Sequence, residues 1–289
     1  MNIHAKRFLS YTIVPAVTIA LYFISAIIAG VAVAAIFDDD LSNHTGTFTL
    51  VDAIISLCIF GIFMLVRTMT QTNTIMGHKL DGKTIGIIAL IAFGMAGFSS
   101  MYFLGVDYLI SNFDVPFISD SLAEYTEMMD ESSPIFAEKV IEMACTVLLI
   151  PFVEEFMFRG VVLDSMLSCS RPSIAIITTS LLFGLLHGQP IQIIYAFFGG
   201  LALGSIYYLT RSIWASILMH MVFNLFGGVI PMLIPENDVV LTVIIYLLEL
   251  FAMLLLPVCF FYLSKKRRAA MELELKDKMR LEGISSEVV

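Results

Sequence analysis

Apolar residues run along this chain in long blocks separated by short polar or charged connections. The blocks fall at 8–36, 51–69, 84–106, 135–168, 173–187, 190–210, 212–231 and 239–263. A helix needs about 20 apolar residues to cross the hydrocarbon layer of a bilayer. The pattern therefore predicts an all-α fold, a polytopic membrane bundle of about eight transmembrane helices. The fourth block is too long for one straight crossing, and Pro151 within it should kink or split it. The fifth is short and should stop at mid-depth or tilt little. No repeat or linker divides the chain, so one transmembrane domain is expected over 1–264, with a charged tail over 265–289.

Composition agrees with lipid as the solvent. The chain has 289 residues, 58% of them hydrophobic and only 14% charged, with a mean hydropathy of +0.91. A soluble domain carries about 25% charged residues. The net charge of -9, with no basic stripe, does not suit nucleic-acid binding. The four cysteines (Cys58, Cys145, Cys169 and Cys259) sit in or beside apolar blocks without metal-ligand spacing, and read as small buried hydrophobes. The first block follows a basic start but is long and lacks a small-residue cleavage site, so it reads as a retained span.

The charges set an orientation. Lys6, Arg7, Arg67, Lys79, Lys83, Arg171, Arg211 and Lys265–Arg268 share one side of an eight-span chain. The other side carries Asp38–Asp40, an acidic loop over 106–134, Glu236 and Asp238. The excess of Lys and Arg on cytoplasmic loops then places both termini in the cytoplasm. The small size suits a bacterial plasma membrane.

Ionisable groups inside spans are costly and mark candidate functional sites. The densest stretch is Pro151-Phe-Val-Glu154-Glu155-Phe-Met-Phe-Arg159-Gly160. Glu155 and Arg159 are four residues apart, share a helix face and can pair. Glu154 points about 100° away, without a local partner, and is placed to act as a general base. Two histidines follow in apolar segments: His187, with Phe183 one turn behind it, and His220, with Asn224 one turn ahead. If the spans are drawn as above, Glu154, His187 and His220 lie roughly 10–20 Å from the cytoplasmic helix ends. Taken singly, a histidine or a Glu–Arg pair in a span is often a satisfied structural contact. Together the three motifs form a rarer pattern.

Glu-Glu-x-x-x-Arg, Phe-x-x-x-His and His-x-x-x-Asn, in that order, resemble the CPBP family of CAAX proteases and bacteriocin-processing enzymes, also called Abi. The likeness covers roughly 135–231. It implies an intramembrane endopeptidase in which Glu154, helped by His187, activates water. His220 and Asn224 would polarise the scissile carbonyl and stabilise the oxyanion, with Glu155 and Arg159 in support. The implied partners are the lipid bilayer and a peptide or protein substrate presented at the membrane. No cofactor is required by this scheme. Glu and His are also ligands in hydrolytic zinc sites, so a metal, if held, would take Glu154, His187 and His220, with Glu155 as base. The spacing is not His-Glu-x-x-His, which favours metal-free water activation. Two other classes compete: a non-catalytic scaffold or bacteriocin-immunity protein of the same fold, and a transporter using the buried groups as a proton relay. Degenerate motifs would favour the first and inverted-repeat symmetry the second; the sequence has neither.

Overall fold

The computed structural model describes residues 2–38, 40–70, 79–130, 135–235 and 237–281. Asp39, Glu236 and the end of the tail, 282–289, lie outside the described residues. Among the described residues there are nine helices and no strand. We number them α1 (Ile3–Ile36), α2 (Thr45–Thr70), α3 (Gly82–Asn112), α4 (Pro116–Asp130), α5 (136–167), α6 (Pro172–Leu185), α7 (Pro190–Thr210), α8 (Ile213–Leu233) and α9 (Val239–Leu281).

Six of these, α1, α2, α3, α7, α8 and α9, are long and apolar enough to cross a membrane. The two remaining apolar blocks are α5, which carries Glu154, Glu155 and Arg159 in its middle, and α6, with only 14 residues. The chain is a polytopic helical membrane bundle. Its outer surface is apolar, with Ile27, Val31, Leu254 and Phe261 each about two-thirds exposed. α4 was not anticipated, because its sequence is mixed and acidic. The last apolar block does not stop at the tail; α9 continues through Lys265–Arg268 to Leu281 as one helix.

Pro151 neither breaks nor splits α5. The helix passes it by widening into π-type turns over Cys145–Leu149. The same happens in α1, where Leu9–Ile13 precedes Pro15, and in α8, where Leu225–Val229 precedes Pro231. A proline ring clashes with the carbonyl four residues back and offers that carbonyl no N–H. In each case that carbonyl, of Tyr11, Val147 or Gly227, falls inside the widened turn. A wider turn relieves the clash without ending the helix. A longer π-type stretch, Phe156–Leu163, follows directly after Glu155.

Two apolar clusters organise the interior. One gathers residues of α2, α5, α6, α7 and α8 around Val153, Met157, Phe158 and Phe183. The other joins α3, α7, α8 and α9 around Ile88, Ile206, Met219 and Leu263. α7 and α8 contribute to both and form the centre. α9 reaches α3 closely because Gly94 and Gly97 present no side chain there; a Cβ on Gly97 would lie 2.4 Å from the Glu249 carbonyl oxygen. Glu249, mid-span and 2% exposed, accepts a hydrogen bond from Ser100 at 2.8 Å, so its carboxyl helps join the same two helices.

Candidate active site

The site is built on α5 directly after its proline-widened turn. Pro151 is followed by Val153, buried in the first cluster, and the neighbouring Glu154 and Glu155 reach His220 of α8. Glu155 is fully buried and Arg159, one turn on, is 1% exposed. Arg159 Nη1 donates to Glu155 Oε1 at 2.8 Å and Nη2 donates to the Gly200 carbonyl of α7 at 3.2 Å. The guanidinium carbon also lies 4.7 Å from the centroid of the Phe183 ring. Arg159 thus ties α5 to both helices of the α6–α7 hairpin.

His220 of α8 comes to both glutamates. Its Nδ1 is 2.9 Å from Glu155 Oε1, and its Nε2 is 3.5 Å from Glu154 Oε2. Turning a helical wheel could not show this, because 65 residues separate His220 from Glu155. Glu155 is already ion-paired, so its oxygen accepts and His220 Nδ1 donates. That leaves Nε2 toward Glu154. Nε2 can donate toward Glu154 when it carries a proton. Glu154 keeps 17% of its side-chain surface accessible, whereas Glu155 keeps none. Of the two adjacent carboxylates, only Glu154 is open to another molecule.

His187 is not inside a helix, contrary to the span drawn through 187. α6 ends at Leu185, and His187 sits in the turn that follows. Gly188 has φ +78°, a left-handed conformation that ends the helix and reverses the chain before Pro190 opens α7. His187 Nδ1 lies 2.8 Å from the Phe183 carbonyl. A carbonyl can only accept, so Nδ1 donates, and the lone pair of the neutral ring sits on Nε2. Phe183 stands edge-on to both imidazoles, its ring centroid 4.8 Å from that of His187 and 6.0 Å from that of His220. The phenyl ring is the spacer of the site, packed in turn at 5.0 Å against Phe158.

Asn224, one turn beyond His220, donates from Nδ2 to the Thr146 carbonyl at 2.9 Å. Thr146 lies in the widened turn before Pro151, where helical pairing is disturbed. Asn224 thereby locks α8 to α5 and retains a second N–H. The backbone partners of these side chains, the carbonyls of Thr146, Phe183 and Gly200, carry no signal in residue type or spacing.

The structure therefore brings Glu154, Glu155, Arg159 and His220 into one linked cluster, with His187 and Asn224 on its flanks. The donor set does not make a ready metal centre. Among the described residues no three His, Cys, Asp or Glu side chains converge as ligands would. Glu154, His187 and His220 as they stand do not fit a zinc ion. Asp164, farther along α5, accepts a hydrogen bond from Tyr207 of α7 at 3.1 Å.

Residues 136–226 match the family described as Rce1-like, type II CAAX prenyl endopeptidase Rce1-like. No curated protein and no solved structure matches the chain. The matched segment begins with α5 and ends just past Asn224, so it contains all six side chains of the cluster and its flanks. Over residues 136–226, about a third of its length, the chain is therefore similar to the Rce1-like CAAX endopeptidases of the CPBP family.

Proposed function

We propose that this protein is an intramembrane endopeptidase that hydrolyses a peptide bond in a membrane-associated peptide or protein, with water activated by Glu154. The observation that carries the reading is the division of labour between two adjacent carboxylates. Arg159 and His220 Nδ1 neutralise Glu155, while Glu154 stays accessible, with His220 Nε2 at 3.5 Å.

The chemistry follows from that division. Water is a weak nucleophile until a base removes its proton. Glu154 takes that proton, and the neutral Nε2 of His187 helps orient the water. As the hydroxyl bonds to the scissile carbon, the carbonyl oxygen becomes an oxyanion. Glu154, now protonated, loosens its hold on the Nε2–H of His220. That N–H and the second N–H of Asn224 are the donors for the oxyanion. Removing one such donor typically costs on the order of 100-fold or more in rate. Collapse breaks the C–N bond, and the proton held by Glu154 passes to the leaving amine. Atoms balance: one water enters, and one carboxylate end and one amine end leave. Glu155 and Arg159 touch no reacting atom in this scheme; they position His220.

The same reading places the catalytic core within 135–231 of a single domain and both termini in the cytoplasm. Lys6 and Arg7 of α1 bond to the carbonyls of Ser168 and Cys169 in the turn after α5, which supports their lying at one end of the bundle.

The test is cleavage of internally quenched peptides, with and without a prenylated CAAX end, by the detergent-solubilised protein. Cleavage lost in Glu154→Gln and retained in chelator supports the reading. Loss in chelator with rescue by zinc replaces it with a metallopeptidase on the same residues. A folded protein that cleaves no member of the set turns the reading toward a binding scaffold.

A further inference from the structure

Glu138 lies in the first turn of α5, well before Glu154 in the chain, yet only 6% of it is exposed. Its carboxylate is spent on the start of α2. Oε2 accepts the backbone N–H of Thr47 at 2.6 Å, and Oε1 accepts the Thr47 hydroxyl at 2.7 Å. His44 Nδ1 lies 3.1 Å from the same Oε1. The first N–H groups of a helix have no partner within it, and a short polar side chain just before the helix usually serves them. Here His44 holds that position, ahead of Thr45, and its ring is stacked on Phe37 with centroids 3.7 Å apart. The cap therefore comes from another helix, and its negative charge suits a helix start.

The two backbones meet at the same place. A Cβ on Gly46 would run into the Glu138 carbonyl oxygen, so glycine is what lets α2 and α5 approach there. Thr45 Oγ1 donates to Glu142 Oε2 at 3.0 Å, one turn further along α5. α2 then runs beside α5 past the site: a Cβ on Gly61 would touch the Phe156 ring at 4.0 Å, and one on Gly160 would meet the Met64 sulfur. Between the Thr47–Glu138 and Gly61–Phe156 contacts α5 uses more residues than α2, and its wide turns over Cys145–Leu149 take up the excess. Trading a wide turn for a regular one rotates every residue beyond it. The facing of Glu154 is therefore set only if α5 is held on both sides of those turns.

We infer that Glu138 is a positioning residue of the catalytic helix: by capping α2 it fixes the start of α5, and with it the register of Glu154 and Glu155 against His220. Lys6 and Arg7, bonded to the Ser168 and Cys169 carbonyls, hold the other end. Glu138 touches no reacting atom. The inference rests on the peptidase reading above and adds to it a residue outside the three motifs.

The experiment measures kcat and KM of Glu138→Ala and Glu138→Gln on an internally quenched, prenylated CAAX-ended peptide, beside wild type, Glu154→Gln and Gly97→Ala. It also follows the imidazole nitrogen NMR signals of His220, assigned by their loss in His220→Gln. Glu138→Ala removes both acceptor oxygens; it should lower kcat on the order of 10- to 100-fold with KM little changed, and move the His220 signals. Glu138→Gln keeps an acceptor for the Thr47 N–H and should recover most of kcat. Gly97→Ala loosens the α3–α9 seam instead. Its unfolding midpoint should fall, while kcat measured well below that midpoint and the His220 signals stay at wild-type values. Wild-type kcat in Glu138→Ala, unmoved His220 signals, or an equal loss of kcat in Gly97→Ala overturns the inference; an inactive Glu154→Gln then leaves the peptidase reading standing. Undiminished activity in Glu154→Gln sinks the peptidase reading itself, and the inference with it.

Discussion

His220 and Glu155 meet at 2.9 Å in a part of the bundle where the carboxylate has no exposed surface. The same carboxylate oxygen receives Arg159 at 2.8 Å. One oxygen therefore fixes both a cation on its own helix and an imidazole on α8, and the second nitrogen of that imidazole faces Glu154.

Arg159→Met should be severely destabilising. It leaves Glu155 buried without its cation, and breaking such a pair from one side costs about 3–5 kcal/mol. Thermal unfolding in detergent would read this as a clear drop in midpoint. The double variant Glu155→Gln with Arg159→Met should regain part of the loss, because no uncompensated charge remains. If the double variant is no more stable than the single one, the charge argument is wrong.

Glu154→Gln should separate chemistry from stability. The side chain is partly accessible, and its polar partner among the described residues is His220 Nε2 at 3.5 Å, too long for a strong hydrogen bond. The unfolding midpoint should stay near that of wild type while kcat drops about 100- to 10,000-fold. Comparable damage to both quantities would make Glu154 a structural residue.

Gly97→Ala tests the seam between α3 and α9. The new methyl would meet backbone, the Glu249 carbonyl oxygen at 2.4 Å, and backbone cannot turn aside. Overpacking of this kind costs about 1–3 kcal/mol, and the Ser100–Glu249 bond across the seam should weaken with it. Gly160→Ala meets the end of Met64 instead, at 2.5 Å from its sulfur. Methionine is flexible and can re-pack, so that variant should be the milder in a side-by-side melt.

Acid should loosen the end of the bundle where α3 begins. Asp81 caps α3 and bonds to Lys266 of α9 and to Thr84, which hold its carboxyl well below the usual carboxylate range. A depressed folded value contributes stability that is present above the unfolded value, about 3.9, and lost as pH falls through the folded one. Hydrogen exchange at the start of α3 should be slow at neutral pH and speed up only in strong acid. Both side chains are about half exposed, so salt should weaken the tie at neutral pH as well. An exchange rate indifferent to salt would mean that the cap, and not the ion pair, carries the effect.

Much of this protein is decided locally, and so is legible along the chain. A bilayer forces each backbone polar group to pair within its own segment, so long apolar runs become helices whatever surrounds them. The Glu155–Arg159 pair follows from helical spacing alone. Residue type also singled out Glu154, His187, His220 and Asn224, because polar groups stand out against lipid-soluble neighbours. Helix ends and partners were a different matter. His187 lies in a turn and not in a helix because Gly188 adopts a left-handed conformation, and α5 passes Pro151 because its turns can widen. Which nitrogen of His220 meets which glutamate, and that Asn224 is spent partly on Thr146, depend on how α5 and α8 pack. The sequence by itself determined a helical membrane protein and its reactive residue types, since lipid acts on each segment separately. Only the tertiary structure decided which carboxylate is neutralised and which is left open, because that choice is made by side chains dozens of residues apart meeting in space.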